Sequence, residues 1–309
     1  MTITQLNYII AVDTHRHFGR AAEACFVTQP TLSMQIQKLE DALGVILFDR
    51  NKQPVEPTQI GSKIIAQARI VVQEAEKIEQ LAQATTGDAK GTFRLGIIPT
   101  IAPSLLYRFV DRFKANMANV HLVIEELQTQ QIIEALHKNE LDAGILATPL
   151  DERGITEIPL YYEPFMAFVP EGHRLAKDEF ILSSELDLDD MLLLNEGHCF
   201  RTSVINLCKQ RKVSDKNIQL ESGNFETLLK LSQLGYGMTL LPYLTAIDLA
   251  PYLQAFVKPI AEPTPTREIS LIYANTHVKS AIINQLEPII RNSVPKRLLF
   301  EKNTVLHPK

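Results

Sequence analysis

Thr28-Gln-Pro-Thr-Leu-Ser-Met-Gln-Ile-Gln-Lys-Leu-Glu-Asp-Ala-Leu-Gly44 spells out a helix together with both of its ends. Thr28 has the hydroxyl an N-cap uses to accept a free amide, and Pro30 stands in the first turn, where a missing N–H costs least. Leu32, Ile36, Leu39 and Leu43 recur at helical spacing and form one apolar face. Gly44 stops the helix in the C-cap position. The opposite face shows Gln29, Thr31, Ser33, Met34, Gln35 and Lys38. Short polar side chains near a helix N-terminus can meet base edges in a major groove, and Gln can pair with adenine.

Upstream, Leu6, Ile9, Ile10 and Val12 fall on a helical stripe beside Tyr8, and a turn at His15-Arg16-His17 follows. Phe18, Ala21, Ala22 and Cys25 make a second, short helix in which Cys25 reads as core. Two short helices leading through a tight turn into a capped third form the helix-turn-helix pattern. Downstream, Ile46–Thr58 reads as two short strands around a turn, a wing whose Arg50 and Lys52 can reach phosphate. Residues 1–61 hold five Lys/Arg against six Asp/Glu, so charge does not separate a DNA reader from a generic three-helix domain.

From Gln59 to about Thr85 there is no Pro and a single Gly. Ile64, Ala68, Val71, Ala75, Ile78 and Ala82 recur at alternating steps of four and three, a heptad seam suited to a partner helix. The other reading is an amphipathic helix folded back on its own domain. Thr85–Gly91 then reads as a hinge.

Strand and helix patterns alternate beyond it. Strands are expected at Phe93–Ile98, Val120–Glu125 and Leu141–Ala147, with helices at Leu105–Ala115 and Gln130–Lys138, the rhythm of a doubly wound parallel sheet. Pro164–Val169, Met191–Leu194, Ile218–Ser222, a helix over Phe225–Leu234 and Gly237–Leu241 suggest a second lobe. Arg267–Tyr273 and a helix over Ser280–Asn292 return to the first, and Pro295 onward reads as a frayed tail. Ligands in such folds sit at strand C-termini in the cleft between lobes.

Gly197-His-Cys-Phe-Arg-Thr-Ser-Val-Ile-Asn-Leu-Cys208 holds two of the three cysteines. A nearby cation favours the reactive thiolate, and His198 and Arg201 stand on either side of Cys199. Cys208 can then act as a resolving thiol that closes a disulfide with oxidised Cys199. The alternative is a pair of small apolar core residues.

The run Phe18–Arg50, continued through Thr58-Gln-Ile-Gly61, resembles the DNA-binding domain of LysR-type transcriptional regulators. The two α/β lobes resemble the periplasmic-binding-protein-like effector domain of the same family. The resemblance implies residues 1–61 as a winged helix-turn-helix, 59–86 as a dimerisation helix, 87–91 as a hinge and 92–309 as a regulatory domain. Lobe I is expected over 92–162 and 268–292, lobe II over 163–267, and a tail over 293–309. It places Gln29, Pro30, Thr31, Ser33 and Gln35 at the groove and Arg50 on the wing. Asn195–Arg201 with Cys208, Ile98-Pro-Thr100 and Leu127-Gln-Thr-Gln130 are similar to the peroxide-sensing branch of the family.

That branch implies hydrogen peroxide as effector, oxidation of Cys199 to a sulfenic acid and a Cys199–Cys208 disulfide that repacks subunits. Thr100 and Thr129 would hold peroxide, with His198, Arg201 and Arg267 around the thiol. The partners implied are an operator DNA, RNA polymerase and further copies of the chain in a homodimer or homotetramer, acting to activate oxidative-stress genes. Where the family often has an acid after Arg201, this chain has Thr202-Ser203. A LysR-type regulator for a small organic ligand, with incidental cysteines, is the competing reading, and a thiol peroxidase is a third. The helix-turn-helix argues against an enzyme.

The bulk properties fit. A chain of 309 residues suggests two or three domains, and 45% apolar with 22% charged residues describes a soluble globular protein. No basic region with an apolar run opens the chain and no apolar stretch is long enough to span a bilayer, so a cytoplasmic protein with no membrane partner is expected. Three cysteines without Cys-x-x-Cys or zinc spacing argue against a metal, a cofactor or a disulfide scaffold, and any disulfide there is expected to be transient.

Overall fold

The structure, a computed structural model, describes residues 1–84, 90–208, 221–275, 279–300 and 305–306. It divides into two compact units, Met1–Asp88 and Ala89–Lys309. The hinge expected over 85–91 and the strand start expected at 218–220 fall mainly outside the described residues.

In the first unit, α1 (Ile3–His15), α2 (Phe18–Ala24) and α3 (Gln29–Leu43) enclose a core of Leu6, Ile9, Val12, Ala21, Leu32, Ile36 and Leu39. Thr28 Oγ1 accepts from the Thr31 amide and Gly44 adopts a left-handed φ of 68°, as the capping signals require. Strands β1 (Phe48–Asp49) and β2 (Glu56–Pro57) pair antiparallel as the wing. Helix α4 (Gln59–Ala84) packs its first half on α1, with Ile65 and Ala68 buried and Ile64, Val71 and Val72 against the same core. The expected heptad seam is therefore divided. Its N-terminal members cover their own domain, whereas Ile78 is 72% exposed. Ala82 lies among residues whose side chains are not described.

The second unit is built on one mixed sheet, in which the three strands that gave the parallel rhythm do run parallel. Its strands are β3 (Gly91–Ile97), β4 (Val120–Glu126), β5 (Ala143–Thr148), β6 (Ile155–Phe168), β9 (Thr239–Pro242), β10 (Val257–Pro259) and β11 (Thr266–Ala274). The order is β10-β6-β11-β5-β3-β4, with β9 also on β6. Only β3, β4 and β5 run parallel, and β11 pairs antiparallel with both β5 and β6. Helices α5 (Ala102–Asn116), α6 (Thr129–His137) and α11 (Ser280–Arg291) cover this part, which is why β5 is buried along its whole length. Gly144 lets α6 lie close, since a Cβ there would meet Ile132 Cγ2 at 2.5 Å.

Strand β6 is a single 14-residue element where the sequence suggested only Pro164–Val169. Its Leu160 and Tyr161 belong to the first core, and its Phe165 and Ala167 to a second. That second core is completed by β7 (Leu193–Leu194), α7 (Cys199–Leu207), β8 (Glu221–Ser222) and α8 (Phe225–Gln233). Two short helices, α9 (Tyr243–Ile247) and α10 (Pro251–Gln254), had no clear sequence signal. The tail is not simply frayed. Val294 and Leu298 are buried in the first core, Arg297 lies over the Tyr243 ring at 4.2 Å, and the Leu306 amide donates to the Thr266 carbonyl at 2.7 Å.

Candidate functional site

The site forms where β6 passes from one core to the other, beside the start of β11. Antiparallel register sets Arg267 directly opposite Glu163. Both are almost fully buried, and Arg267 Nε and Nη2 donate to Glu163 Oε2 at 3.0 and 2.7 Å. The other carboxylate oxygen accepts the Leu244 amide at 2.8 Å. Arg267 also donates to Thr100, to Oγ1 at 3.1 Å and to the carbonyl at 3.3 Å, so the end of β3 is tied to the pair. A buried charge needs this kind of paired and hydrogen-bonded surrounding to persist.

Cys199 opens α7 and packs at the margin of the first core, while Phe200, Val204 and Cys208 belong to the second. Gly197 makes this placement possible. Its φ of 90° is one that L side chains rarely adopt, and a Cβ would stand 2.5 Å from the Gln128 side-chain amide, which would have to move aside. Thr129, the first residue of α6, then faces the thiol. Its Oγ1 is buried without a well-formed hydrogen bond, yet it interacts with Cys199 so as to favour the thiolate.

Burial pushes the Cys199 thiol above its ordinary pKa. The Arg267 guanidinium opposes that most strongly, followed by Thr129 and the backbone amides of Phe200 and Cys199 at the helix start. Of the three cations and rings expected around the thiol, Arg267 is the one whose charge favours the thiolate. His198 is buried, and desolvation lowers its pKa, favouring the neutral ring. Arg201 Nη1 donates to the Leu194 carbonyl at 2.8 Å, which turns its charge back along its own loop.

Cys208 ends the same helix. At about 1.5 Å per residue, nine helical residues put the two cysteines roughly 13 Å apart along the axis. Both are free thiols. Burial, and next the Asp187 carboxylate, push the Cys208 pKa up to about 12. Bridging needs Cα atoms within about 7 Å, so α7 must unwind before the sulfurs meet.

In the first unit, Gln29, Pro30 and Thr31 are exposed and Ser33 and Gln35 half-buried on α3. Gln35 Oε1 accepts from Gln5 Nε2 at 3.3 Å. Arg50 does not extend freely from the wing. Its Nη2 is 2.9 Å from Glu40 Oε2, its Nη1 is 3.3 Å from Ser33 Oγ, and its guanidinium lies 5.3 Å from the Phe18 ring. Lys52 is paired with Glu56 at 2.6 Å. Cys25 is half-buried against the core, not sealed in it. Among the described residues no cluster of metal-ligating side chains forms, and no helix is long and apolar enough to cross a membrane.

Glu163 and Phe200 are the members of the site that reading the sequence missed. The faint signal for Glu163 is a lone carboxylate within the apolar stretch Leu160–Phe168, with its partner 104 residues away.

Comparison with known proteins adds the lineage. Residues 3–62 match the model of the bacterial regulatory helix-turn-helix protein, lysR family, and residues 86–293 match the LysR substrate binding domain. The chain is 33% identical over 291 residues to the DNA-binding transcriptional dual regulator OxyR of Escherichia coli, covering 94% of this chain and 95% of that one. It is 34% identical over 273 residues to the hydrogen peroxide-inducible genes activator of Pectobacterium carotovorum, covering 88% and 90%. Among solved structures, a full-length cysteine-to-aspartate variant of Pseudomonas aeruginosa OxyR matches with a TM-score of 0.80 at 35% identity, covering 94% and 98%. A cysteine-to-serine variant of Corynebacterium glutamicum OxyR with hydrogen peroxide bound matches with a TM-score of 0.62 at 26% identity, covering 99% and 98%.

Proposed function

The chain belongs to the LysR family of bacterial helix-turn-helix regulators, and on that premise we propose that it is a hydrogen-peroxide-sensing activator of transcription, switched by a reversible Cys199–Cys208 disulfide. One observation carries this reading most of the way. A free thiol lies under the charge of a buried arginine at one end of a helix, and a second free thiol closes the other end. Its likeness to hydrogen peroxide-inducible activators supplies the effector.

Peroxide enters beside Thr100 and Thr129. Thr129 Oγ1, which faces the thiol without a well-formed hydrogen bond, is a ready partner for a peroxide hydroxyl, and Thr100 Oγ1 already accepts from Arg267. The Cys199 thiolate attacks one peroxide oxygen. The S–O bond forms, the O–O bond breaks, and the departing hydroxide takes a proton to leave as water. Cys208 sulfur then displaces the sulfenic oxygen as a second water. His198 and Arg201 hold the loop that carries the thiol. Disulfide closure unwinds α7 and reshapes the second core, and that change repacks subunits of a homodimer or homotetramer on DNA.

On the DNA side, Gln29, Pro30, Thr31, Ser33 and Gln35 read the major groove, and Arg50, held against Ser33 by Glu40, meets the adjoining phosphate. RNA polymerase is recruited by the oxidised assembly. The test is a promoter reporter in cells that carry only this regulator. Peroxide should induce it with the wild-type chain and not with Cys199→Ser; full induction by Cys199→Ser overturns the sensor reading.

A further inference from the structure

The residue after the sensing cysteine sits in a cage that neither step of the chemistry accounts for. The Phe200 ring stacks on Phe165 of β6, with centroids 4.9 Å apart and planes 25° apart, and meets Phe225 of α8 edge-on at 5.2 Å. Its remaining side faces the Arg267 guanidinium at 5.2 Å. Phe200 is 3% exposed, so the first turn of α7 is fastened at one point to β6, to α8 and to the cation that acts on Cys199.

We propose that Phe200 is a positioning residue that sets the lifetime of the sulfenic acid, by holding Cys199 against Arg267 until its aromatic stack breaks and Cys208 can reach the sulfur. This rests on the peroxide-sensing reading of the same site. The two steps place opposite demands on the first turn of α7. Attack of the thiolate on peroxide needs Cys199 kept beside Arg267 and Thr129. Attack of Cys208 on the sulfenic sulfur forms the S–S bond, breaks the S–O bond and releases water, and it needs the helix opened across roughly 13 Å. The second cannot begin while Phe200 stays between Phe165 and Phe225. Ring contacts of this kind are specific in geometry and are lost when the rings part. The face of Phe200 also attracts Arg267, so the residue that delays the second step steadies the first.

The test separates the steps in the full-length protein. Wild type, Phe200→Leu and Phe165→Leu are mixed rapidly with peroxide. Sulfenic acid is trapped with a carbon nucleophile at successive times, and the Cys199–Cys208 disulfide is quantified by mass spectrometry. Phe200→Leu should convert sulfenic acid to disulfide at least about tenfold faster, the scale set by the loss of two aromatic contacts and one cation–ring contact. Its first step should be no faster than wild type. Phe165→Leu, which loses a stacking face but not the contact with Arg267, should speed the second step as well and leave the first at the wild-type rate. Hydrogen exchange of the α7 amides in the reduced protein should quicken in both. A Phe200→Leu protein whose second step is unchanged or slower overturns the proposal. A wild-type protein that forms neither sulfenic acid nor disulfide overturns the sensor reading instead, so the two failures are distinguishable.

Discussion

Replacing Arg267 by methionine tests the source of the thiol's activation, and the structure sets the size of two separate effects. The first is on stability. Glu163 is 1% exposed and, without Arg267, would have the Leu244 amide as its donor but no opposite charge beside it. Removing one member of a buried ion pair costs about 3–5 kcal/mol, a large part of the roughly 5–15 kcal/mol that holds a typical domain folded. The second effect is on reactivity. Arg267 is the largest influence opposing the burial that raises the Cys199 pKa, so without it the thiolate is rarer at neutral pH. Alkylation of Cys199 at pH 7, in a background with Cys25 and Cys208 changed to serine, should slow by roughly an order of magnitude, the scale of one neighbouring opposite charge.

The double variant Arg267→Met/Glu163→Gln separates the two effects. It leaves no unpaired buried charge, so its denaturation midpoint should recover most of the loss while its alkylation stays slow. Urea titration of the reduced protein and a pH profile of alkylation read both quantities. A double variant that reacts as fast as wild type would refute the assignment of the activating charge to Arg267.

Other outcomes follow from the same geometry. Thr129→Val should leave stability within about 1 kcal/mol, because its hydroxyl makes no well-formed bond to lose, but slow the reaction of Cys199 with peroxide by roughly tenfold, the worth of a weak charge-assisted hydrogen bond. Gly197→Ala must adopt a left-handed φ and push Gln128 aside, so it should slow the same reaction and lower the thermal midpoint, read by stopped flow and calorimetry. Burial raises Cys208 from 9.0 to about 12, so the folded state binds that proton more tightly than the unfolded chain does. The stability it contributes is present below about pH 9 and is lost as pH rises toward 12. Cys208→Ala should flatten that alkaline decline in chemical denaturation. Gln29→Ala with Ser33→Ala should cost about 1–3 kcal/mol of discrimination between operator and random DNA in salt-controlled titrations.

The local parts of this protein were plain in its sequence because their causes are local. Thr28, Pro30 and Gly44 fix the ends of α3 through hydrogen bonds and φ values set within a few residues, and the helix forms where they say. The sheet was less legible. Nothing near residues 155–168 announces one strand crossing two cores, since a half-buried strand and a loop leading into a buried strand share the same apolar content. The antiparallel placing of β11 depends on a return from the far end of the chain. The site shows the same division. The cysteines stand out by their scarcity, but the charge acting on Cys199 comes from position 267 and is held by position 163, joined only by strand register. His198 and Arg201 stand beside Cys199 in sequence and are legible for that reason; burial favours the neutral ring of the first, and the second donates to the Leu194 carbonyl.

The most direct measurement treats the reduced full-length protein with a small excess of hydrogen peroxide for seconds, digests it without reductant and maps every cysteine by mass spectrometry. A peptide pair joined through Cys199 and Cys208, absent from Cys199→Ser and reversed by a thiol reductant, is the expected result. Cys199 still carrying a free thiol under conditions that oxidise Cys25 would show that the buried arginine does not make Cys199 the peroxide-reactive thiol.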